Sequence, residues 1–263
     1  MIWFKFLFFV FVVSNGKKQT IKSTVIKRPN ILFVLADDLG YADLDWKDKS
    51  LFTPNLRKYA FAKGSAYLTN SYVTHLCTPT RSSLMTGYYP FRTGTQNGVF
   101  LPLERSGVPL DFPFLPQNLR KVGYANYLVG KWHLGYCKKD FLPTSRGFDY
   151  FYGYYSAQEG YFNHSLAIWD KNLNRVVSGL DLFREIGGKP VPDWTKNGIY
   201  STHLFTNEVV RVLSRHDRKR PFFLFFSHQS VHAPLQVPPQ YKRFCNPLLM
   251  DKPRQIYCGI FSQ

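Results

Sequence analysis

Residues 31–38 read I-L-F-V-L-A-D-D, an uncharged apolar run that ends abruptly in two carboxylates. Two further runs show the same pattern: Y-A-N-Y-L-V at 124–129 leads to Lys131 and His133, and P-F-F-L-F-F at 221–226 leads to two histidines. Short continuous runs of β-forming residues are typical of strands buried on both faces of a sheet. Ligands in open α/β sheets collect beyond the carboxyl ends of the strands. We therefore expect the polar residues after all three runs to meet in one crevice.

Helical signals separate these runs and predict an α/β fold. Thr53 and Pro54 suit an N-cap and a first helical position. A second helix is predicted at 116–121. A third is predicted at 201–215, where apolar residues recur at close to helical spacing. By contrast, residues 141–161 are rich in glycine and tyrosine, and we interpret them as an ordered surface excursion.

The end of the sequence has no clear periodicity. Residues 246–263 show neither a strand pattern nor a helix pattern, although a sheet that has just formed a strand near residue 225 is expected to continue. We therefore expect a truncated domain, or one that ends in an unrelated tail over residues 242–263.

The composition indicates a basic protein with a substantial core. Of 263 residues, 44% are hydrophobic, which argues against global disorder. Lysine and arginine number 34 against 17 aspartates and glutamates, a formal net charge of +17. Such a balance favours acidic partners. Because no nucleic-acid-binding motif is present, a polyanionic substrate ranks above nucleic acid, although a generally basic solvated surface would give the same count.

The N-terminus has the pattern of a secretory signal peptide over residues 1–16. A lysine precedes the apolar run at 6–13, and small or polar residues follow it. This run is far shorter than the roughly 20 residues that cross a bilayer, so no stable membrane span is expected. The alternative is a buried N-terminal strand. The sequon N-H-S at 163–165 is compatible with the secretory pathway.

Four cysteines have to be allocated: Cys77, Cys137, Cys245 and Cys258. Their spacing suggests no zinc site. If Cys77 is chemically modified, the remaining three cannot all pair with one another. Cys245 and Cys258 could close a small loop in the tail, with Cys137 free or paired outside the chain, and the sequence leaves this open.

Residues 77–87 read C-T-P-T-R-S-S-L-M-T-G. In isolation, a buried structural cysteine in a proline-bounded turn is an equally good interpretation. The string nevertheless resembles the signature of the type I sulfatases, and four further segments support this resemblance over about residues 28–241. They are R-P-N-I-L-F-V-L-A-D-D-L-G-Y from 28, G-K-W-H-L-G from 130, L-P-T-S-R-G-F-D-Y-F-Y-G-Y from 142 and V-H-A-P-L-Q-V-P from 231.

The resemblance implies a fold and a position within the family. The fold is the alkaline-phosphatase-like sulfatase fold: α/β, with a mixed, mostly parallel sheet flanked by helices. Residues 28–241 correspond to the N-terminal part of its catalytic domain. Within the family the motifs are most similar to arylsulfatase B and to arylsulfatases I and J. The family's later Asp-Asn metal pair and its second active-site lysine have no counterpart in this sequence.

The resemblance also implies a nucleophile. During secretion a formylglycine-generating enzyme would oxidise Cys77 to Cα-formylglycine, whose hydrate attacks the sulfur of a sulfate ester and then expels sulfate. Arg81 would stabilise the hydrate. An unmodified thiol has no second hydroxyl with which to release sulfate.

Other site residues follow from the same motifs. Adjacent carboxylates at Asp37 and Asp38 need a cation to offset their charge, and hard oxygen ligands favour calcium or magnesium over zinc. The resemblance implies calcium ahead of magnesium. A D-D-x-G turn with solvated aspartates is the alternative. By the resemblance Cys77 joins them at the metal, Lys131 binds sulfate and His133 contacts the hydrate. The remaining match is His232, which would contact sulfate and protonate the leaving oxygen. His228 matches no motif and is interpreted as structural.

Three functional hypotheses follow. The first is hydrolysis of sulfate esters, on aryl or glycosaminoglycan sulfates, in the lysosome or outside the cell. The second is a truncated, catalytically inactive secreted fragment that binds sulfated glycans. The third, a phosphatase of the same superfamily, uses serine or threonine as nucleophile, and Cys77 argues against it.

Overall fold

The computed structural model describes residues 28–245 and 250–262, together with the backbone of 8–13. The predicted signal peptide lies mostly outside these residues. Within it, the backbone of Phe8–Val13 forms an edge strand, which agrees with the strand of the alternative interpretation, while its burial stays a prediction. Removal of a signal peptide by cleavage near Gly16 stays a prediction.

A seven-stranded mixed sheet organises the fold, in the order β1-β2-β9-β3-β4-β7-β8. Its centre is parallel, because β2 pairs with β9, β9 with β3 and β3 with β4 in the same direction. The outer pairings are antiparallel, and β5 and β6 form a separate hairpin. The strands are β1 Phe8–Val13, β2 Asn30–Leu35, β3 Ala125–Lys131, β4 Tyr150–Tyr154, β5 Ser165–Asp170, β6 Arg175–Leu180, β7 Phe183–Ile186, β8 Lys189–Pro192 and β9 Phe222–Ser227.

Helices cover both faces of this sheet, as the α/β prediction required. On one face α5 buries Phe205, Val209 and Val212 against the strands, and on the other Leu115 and Leu119 of α4 pack against the opposite cluster. The helices are α1 Pro54–Ala60, α2 Cys77–Thr86, α3 Pro90–Thr93, α4 Leu115–Lys121, α5 Ser201–Arg215 and α6 Lys252–Phe261. None of those in the described residues is long and apolar enough to cross a membrane.

The three apolar runs form β2, β3 and β9, which are adjacent in the sheet, so the strand predictions are confirmed. The three helix predictions are also confirmed, as α1, α4 and α5. Thr53 occupies the N-cap position of α1, but its hydroxyl accepts a hydrogen bond from Asp45 N instead of capping the helix.

Two expectations were wrong. The glycine- and tyrosine-rich segment is no surface excursion, because β4 lies inside it and its Phe151, Tyr152 and Tyr154 are fully buried. The tail also forms a helix, α6, which begins where the Asp251 side chain accepts a hydrogen bond from Arg254 N. A disulfide between Cys245 and Cys258 holds this helix, and Cys137 is free.

Candidate active site

The candidate site lies at the carboxyl ends of β2, β9 and β3. Lys131 is the last residue of β3 and Ser227 the last of β9, while Asp37 follows β2 by two residues. Gly130 makes the close approach of these strands possible. Its φ is +101°, and a Cβ there would lie 1.9 Å from the carbonyl oxygen of Ser227. The sequence therefore needs glycine directly before the site lysine.

Asp37 is the centre of a buried charge cluster. Its Oδ2 accepts a hydrogen bond of 2.6 Å from Nζ of Lys131, and its Oδ1 accepts one of 3.0 Å from Nη2 of Arg81. Burial by itself would raise the pKa of Asp37, but Lys131, Arg81 and, less strongly, His232 hold it well below its usual range. The carboxylate is therefore ionised at neutral pH and in mild acid.

Cys77 opens α2 and points at this cluster. Its Sγ lies 3.3 Å from Nζ of Lys131 and 3.7 Å from Oδ1 of Asp37. The pKa of the Cys77 thiol is raised, mainly because the group is buried. The positive charge of Lys131 acts against this rise, and the negative charge of Asp37 adds to it. The thiol is therefore protonated at neutral pH, which does not suit a thiolate nucleophile.

Arg81 fastens α2 to the sheet from the same helix. The side chain is 2% exposed. Besides Asp37, its Nη1 donates to Oγ of Ser227 at 2.5 Å and to the carbonyl oxygen of Lys131 at 3.3 Å. Ser227 is a site residue that sequence reasoning missed. Its only signal was its position at the end of the third apolar run.

His133 lies just beyond β3 with a buried, neutral ring. Its Nε2 is 2.9 Å from the carbonyl oxygen of Phe100, so this nitrogen carries the proton. Its Nδ1 is buried and has no partner among the described residues. Burial, reinforced by the charge of Lys131, holds the pKa of His133 well below its usual value. His133 therefore presents an unused hydrogen-bond acceptor.

Asp38 and His232 lie at the rim. Oδ2 of Asp38 is 3.5 Å from Nε2 of His232, whose Nδ1 is 2.7 Å from the carbonyl oxygen of Ala233. The Asp38 side chain is 49% exposed. Its pKa is raised by burial of its inner part and by the charge of Asp37. Asp38 thus belongs to the site but makes none of the inner contacts.

His228 lies behind this rim, and its surroundings suit the structural interpretation. Its Nδ1 accepts a hydrogen bond of 3.0 Å from Ser230 N. Burial lowers its pKa to about 4.

These residues supply only some of the ligands that a divalent cation needs. Calcium takes six to eight oxygen ligands. Among the described residues, the one group with metal-ligand spacing is Asp37, Cys77 and His232, whose ligand atoms lie within 4.8 Å of one another. Both oxygens of Asp37 already have cationic partners, whereas the excess negative charge at Asp38 is of the kind that a divalent cation offsets.

Comparison with known proteins gives a consistent result. The family model described as Sulfatase matches residues 29–247. Arylsulfatase J of Mus musculus is 41% identical over 214 residues, which are 81% of this chain and 34% of that protein. Arylsulfatase A of Homo sapiens is 34% identical and matches 80% of this chain and 42% of its own length.

A solved structure shares the fold. The crystal structure of Ps i-CgsB superimposes with a TM-score of 0.74 at 30% identity, covering 88% of this chain and 51% of that one. The chain thus spans about a third to two fifths of the length of the two curated relatives.

Proposed function

Because this chain belongs to the sulfatase family, we propose that it hydrolyses sulfate esters through a formylglycine formed from Cys77. We place it with arylsulfatases B, I and J, and take aryl sulfates and sulfated glycosaminoglycan sugars as its substrate class. The similarity to arylsulfatase J supports that placement.

The position of Cys77 carries this proposal. Its sulfur lies within 4 Å of both a buried lysine and a buried carboxylate. A protonated thiol in this position is a poor nucleophile, whereas a formylglycine hydrate supplies one hydroxyl to attack sulfur and another to let sulfate leave. The charge cluster thus suits the modified residue better than the free thiol.

Each neighbouring side chain has a task in this proposal. Lys131 binds sulfate oxygens, and Arg81 holds the hydroxyl-bearing residue against the sheet. The unpartnered Nδ1 of His133 accepts a hydrogen bond from that residue, a task that requires a neutral imidazole. His232, at the open rim, donates a proton to the departing alcohol oxygen.

Calcium, ahead of magnesium, is the proposed cofactor, with Asp37, Asp38 and residue 77 as ligands. When bound, it lowers the pKa of the nucleophile and neutralises sulfate charge. Of these ligands, Asp38 is the one that pairs with neither Lys131 nor Arg81; its contact is with His232. The partial fit predicts weak binding, which can be measured as a calcium-dependent rise in melting temperature that Asp38→Asn removes.

The proposed setting is the secretory pathway, with the lysosome or the extracellular space as destination. Formylglycine formation takes place there, on a motif that Pro79 and Arg81 complete. The disulfide between Cys245 and Cys258 suits an oxidising compartment.

The deciding experiment combines mass spectrometry with an assay. The chain is co-expressed with a formylglycine-generating enzyme, the peptide spanning Cys77 is weighed, and hydrolysis of an aryl sulfate is measured with calcium. We expect an aldehyde at residue 77 and turnover that Cys77→Ala abolishes. Turnover that survives Cys77→Ala would contradict the mechanism.

A second candidate function is sulfated-glycan binding without turnover. It is favoured by the Lys131 and Arg81 charges, which already neutralise Asp37. A modified residue 77 without turnover on aryl sulfate or on a natural sulfated sugar would select this alternative.

A further inference from the structure

The edge of the sheet opposite the candidate site gathers positive charge. β2, β9 and β3 are adjacent and parallel, so their amino ends lie together. Three segments lead into these ends: the residues before β2, the α4–β3 turn and the α5–β9 loop. These segments, together with the last residues of α4 and α5, carry six exposed cations, which we call the basic edge: Arg28, Lys121, Arg215, Arg218, Lys219 and Arg220.

Hydrogen bonds hold these segments against one another. Arg220 donates through Nη2 to the carbonyl oxygen of Tyr124 at 3.1 Å, which ties the α5–β9 loop to the α4–β3 turn. The hydroxyl of Tyr124 donates to the carbonyl oxygen of Pro29 at 2.9 Å. The side chain of Arg28 lies over the α4–β3 turn, since a Cβ added to Gly123 would be 3.7 Å from Nη1 of Arg28. The charges are thus carried on a fixed frame.

Acidic groups nearby leave most of this charge uncompensated. Asp149 is paired with Arg120, at 2.8 Å, outside the basic edge. Asp217 lies within the loop, and its carboxylate accepts the backbone N–H of Lys219. Within the described part of the chain, none of the six cations of the basic edge forms a salt bridge. Such a cluster attracts a polyanion.

We infer that the basic edge binds a sulfated polysaccharide at a site separate from the catalytic cluster. The choice of a sulfated partner rests on the proposed function. The positive charge and its position are independent of that function, because they follow from the positions of the six cations. β9 is six residues long, so about 20 Å separates the two edges at 3.3 Å per residue. One polymer chain can be held at the basic edge while the opposite edge handles single sulfate groups.

The test measures heparin binding to the full chain between about 0.05 and about 0.2 M salt. The variant is Lys121→Ser/Arg218→Ser/Lys219→Ser, which leaves the anchoring Arg220 in place. Its matched control removes three exposed cations of other elements, Lys63→Ser/Lys171→Ser/Arg175→Ser. Both triple variants are checked for an unchanged melting temperature, and each loses the same net charge.

We expect the variant to bind heparin at least about tenfold more weakly, with a salt slope reduced by about two to three, while the control binds like the wild type. Equal losses in variant and control would overturn the basic edge as a site. Tighter binding of double-stranded DNA or phosphatidylserine vesicles than of heparin would overturn the sulfated partner.

A further variant separates this inference from the proposed function. Cys77→Ala should bind heparin as tightly as the wild type, since residue 77 lies at the opposite edge. Retained binding without turnover would therefore support the basic edge even if the proposed hydrolysis fails. Loss of heparin binding in Cys77→Ala would overturn the separation of the two sites.

Discussion

Lys131 is a fully buried cation that satisfies both Asp37 and Cys77. We predict that Lys131→Met lowers the free energy of unfolding by about 3–5 kcal/mol, because it leaves a buried carboxylate with one cation instead of two. Since the pKa of Asp37 is depressed in the folded state, this stability is present above its ordinary value of 3.8 and is lost as pH falls below it. Urea unfolding at pH 7 and in acid measures both effects.

The control is an exposed pair of the same kind. Arg120 and Asp149 lie 2.8 Å apart, with side chains 48% and 37% exposed. Arg120→Met should cost less than about 1 kcal/mol, because solvent screens this pair. If both variants lost a similar free energy of unfolding, burial would not strengthen the contribution of the Lys131–Asp37 ion pair to stability.

Glu159 is a buried carboxyl group away from the candidate active site. Its Oε1 accepts the hydroxyl of Ser201 and lies 3.3 Å from Nδ1 of His164, while burial raises its pKa to about 7. A raised pKa means that its stabilising contribution is present below pH 4.5 and lost as pH rises to about 7. Glu159→Gln should therefore weaken the fall in stability over that window.

Unfolding free energies across that pH window test this expectation, with the exposed Glu104→Gln as the control. The buried neutral His228 has the opposite pH dependence, but it acts equally in both variants and cancels in the difference. A Glu159→Gln curve parallel to that of Glu104→Gln would contradict the prediction.

At the scale of elements, β3 depends on Gly130. We predict that Gly130→Ala lowers the free energy of unfolding by about 4 kcal/mol or more, because the new Cβ meets the Ser227 carbonyl at 1.9 Å in a left-handed backbone conformation. Gly179→Ala in β6, where no atom lies within 4 Å, should stay within about 1 kcal/mol. Circular dichroism and urea unfolding compare the two. Equal stability would show that β3 can shift.

Strands and helices could be predicted where a local sequence pattern alone was enough to identify them. The apolar runs identified β2, β3 and β9 because both faces of these strands are buried. β4 was missed because its Y-F-Y-G-Y sequence is typical of a loop. The fold instead buries Tyr152 and Tyr154, and the hydroxyl of Tyr152 donates a hydrogen bond of 2.8 Å to Asp193. α6 was missed because its burial depends on partners far away in the sequence.

For the molecule as a whole, the sequence predicts which residues meet in the site. It does not predict which of them form ion pairs with one another. Because ligands gather at the carboxyl ends of parallel strands, the sequence pattern alone predicts that Asp37, Lys131 and His232 lie together. It does not predict that Lys131 and Arg81 neutralise Asp37, because those contacts depend on how α2 packs against three strands. Such distances follow from tertiary packing and not from spacing along the chain.

The tail contributes to the same site from a distance. Ile260 of α6 packs in a cluster with Leu39 and Val231, which lie in the loops that carry Asp38 and His232. The disulfide between Cys245 and Cys258 spans 13 residues and holds α6 in that position. We predict that the double variant Cys245→Ser/Cys258→Ser lowers the free energy of unfolding by about 2–4 kcal/mol. Faster amide exchange in both site loops should accompany this loss.

Thermal unfolding and hydrogen exchange, each with and without dithiothreitol, test this link between tail and site. Reductant should destabilise the wild type to the level of the double variant and leave the double variant unchanged. Cys137→Ser is the matched control, because that thiol is exposed and free. If reductant shifts the wild type and the double variant equally, the disulfide is not what holds α6. If stability falls while exchange in residues 36–44 and 228–238 stays slow, α6 stabilises the fold without supporting the site.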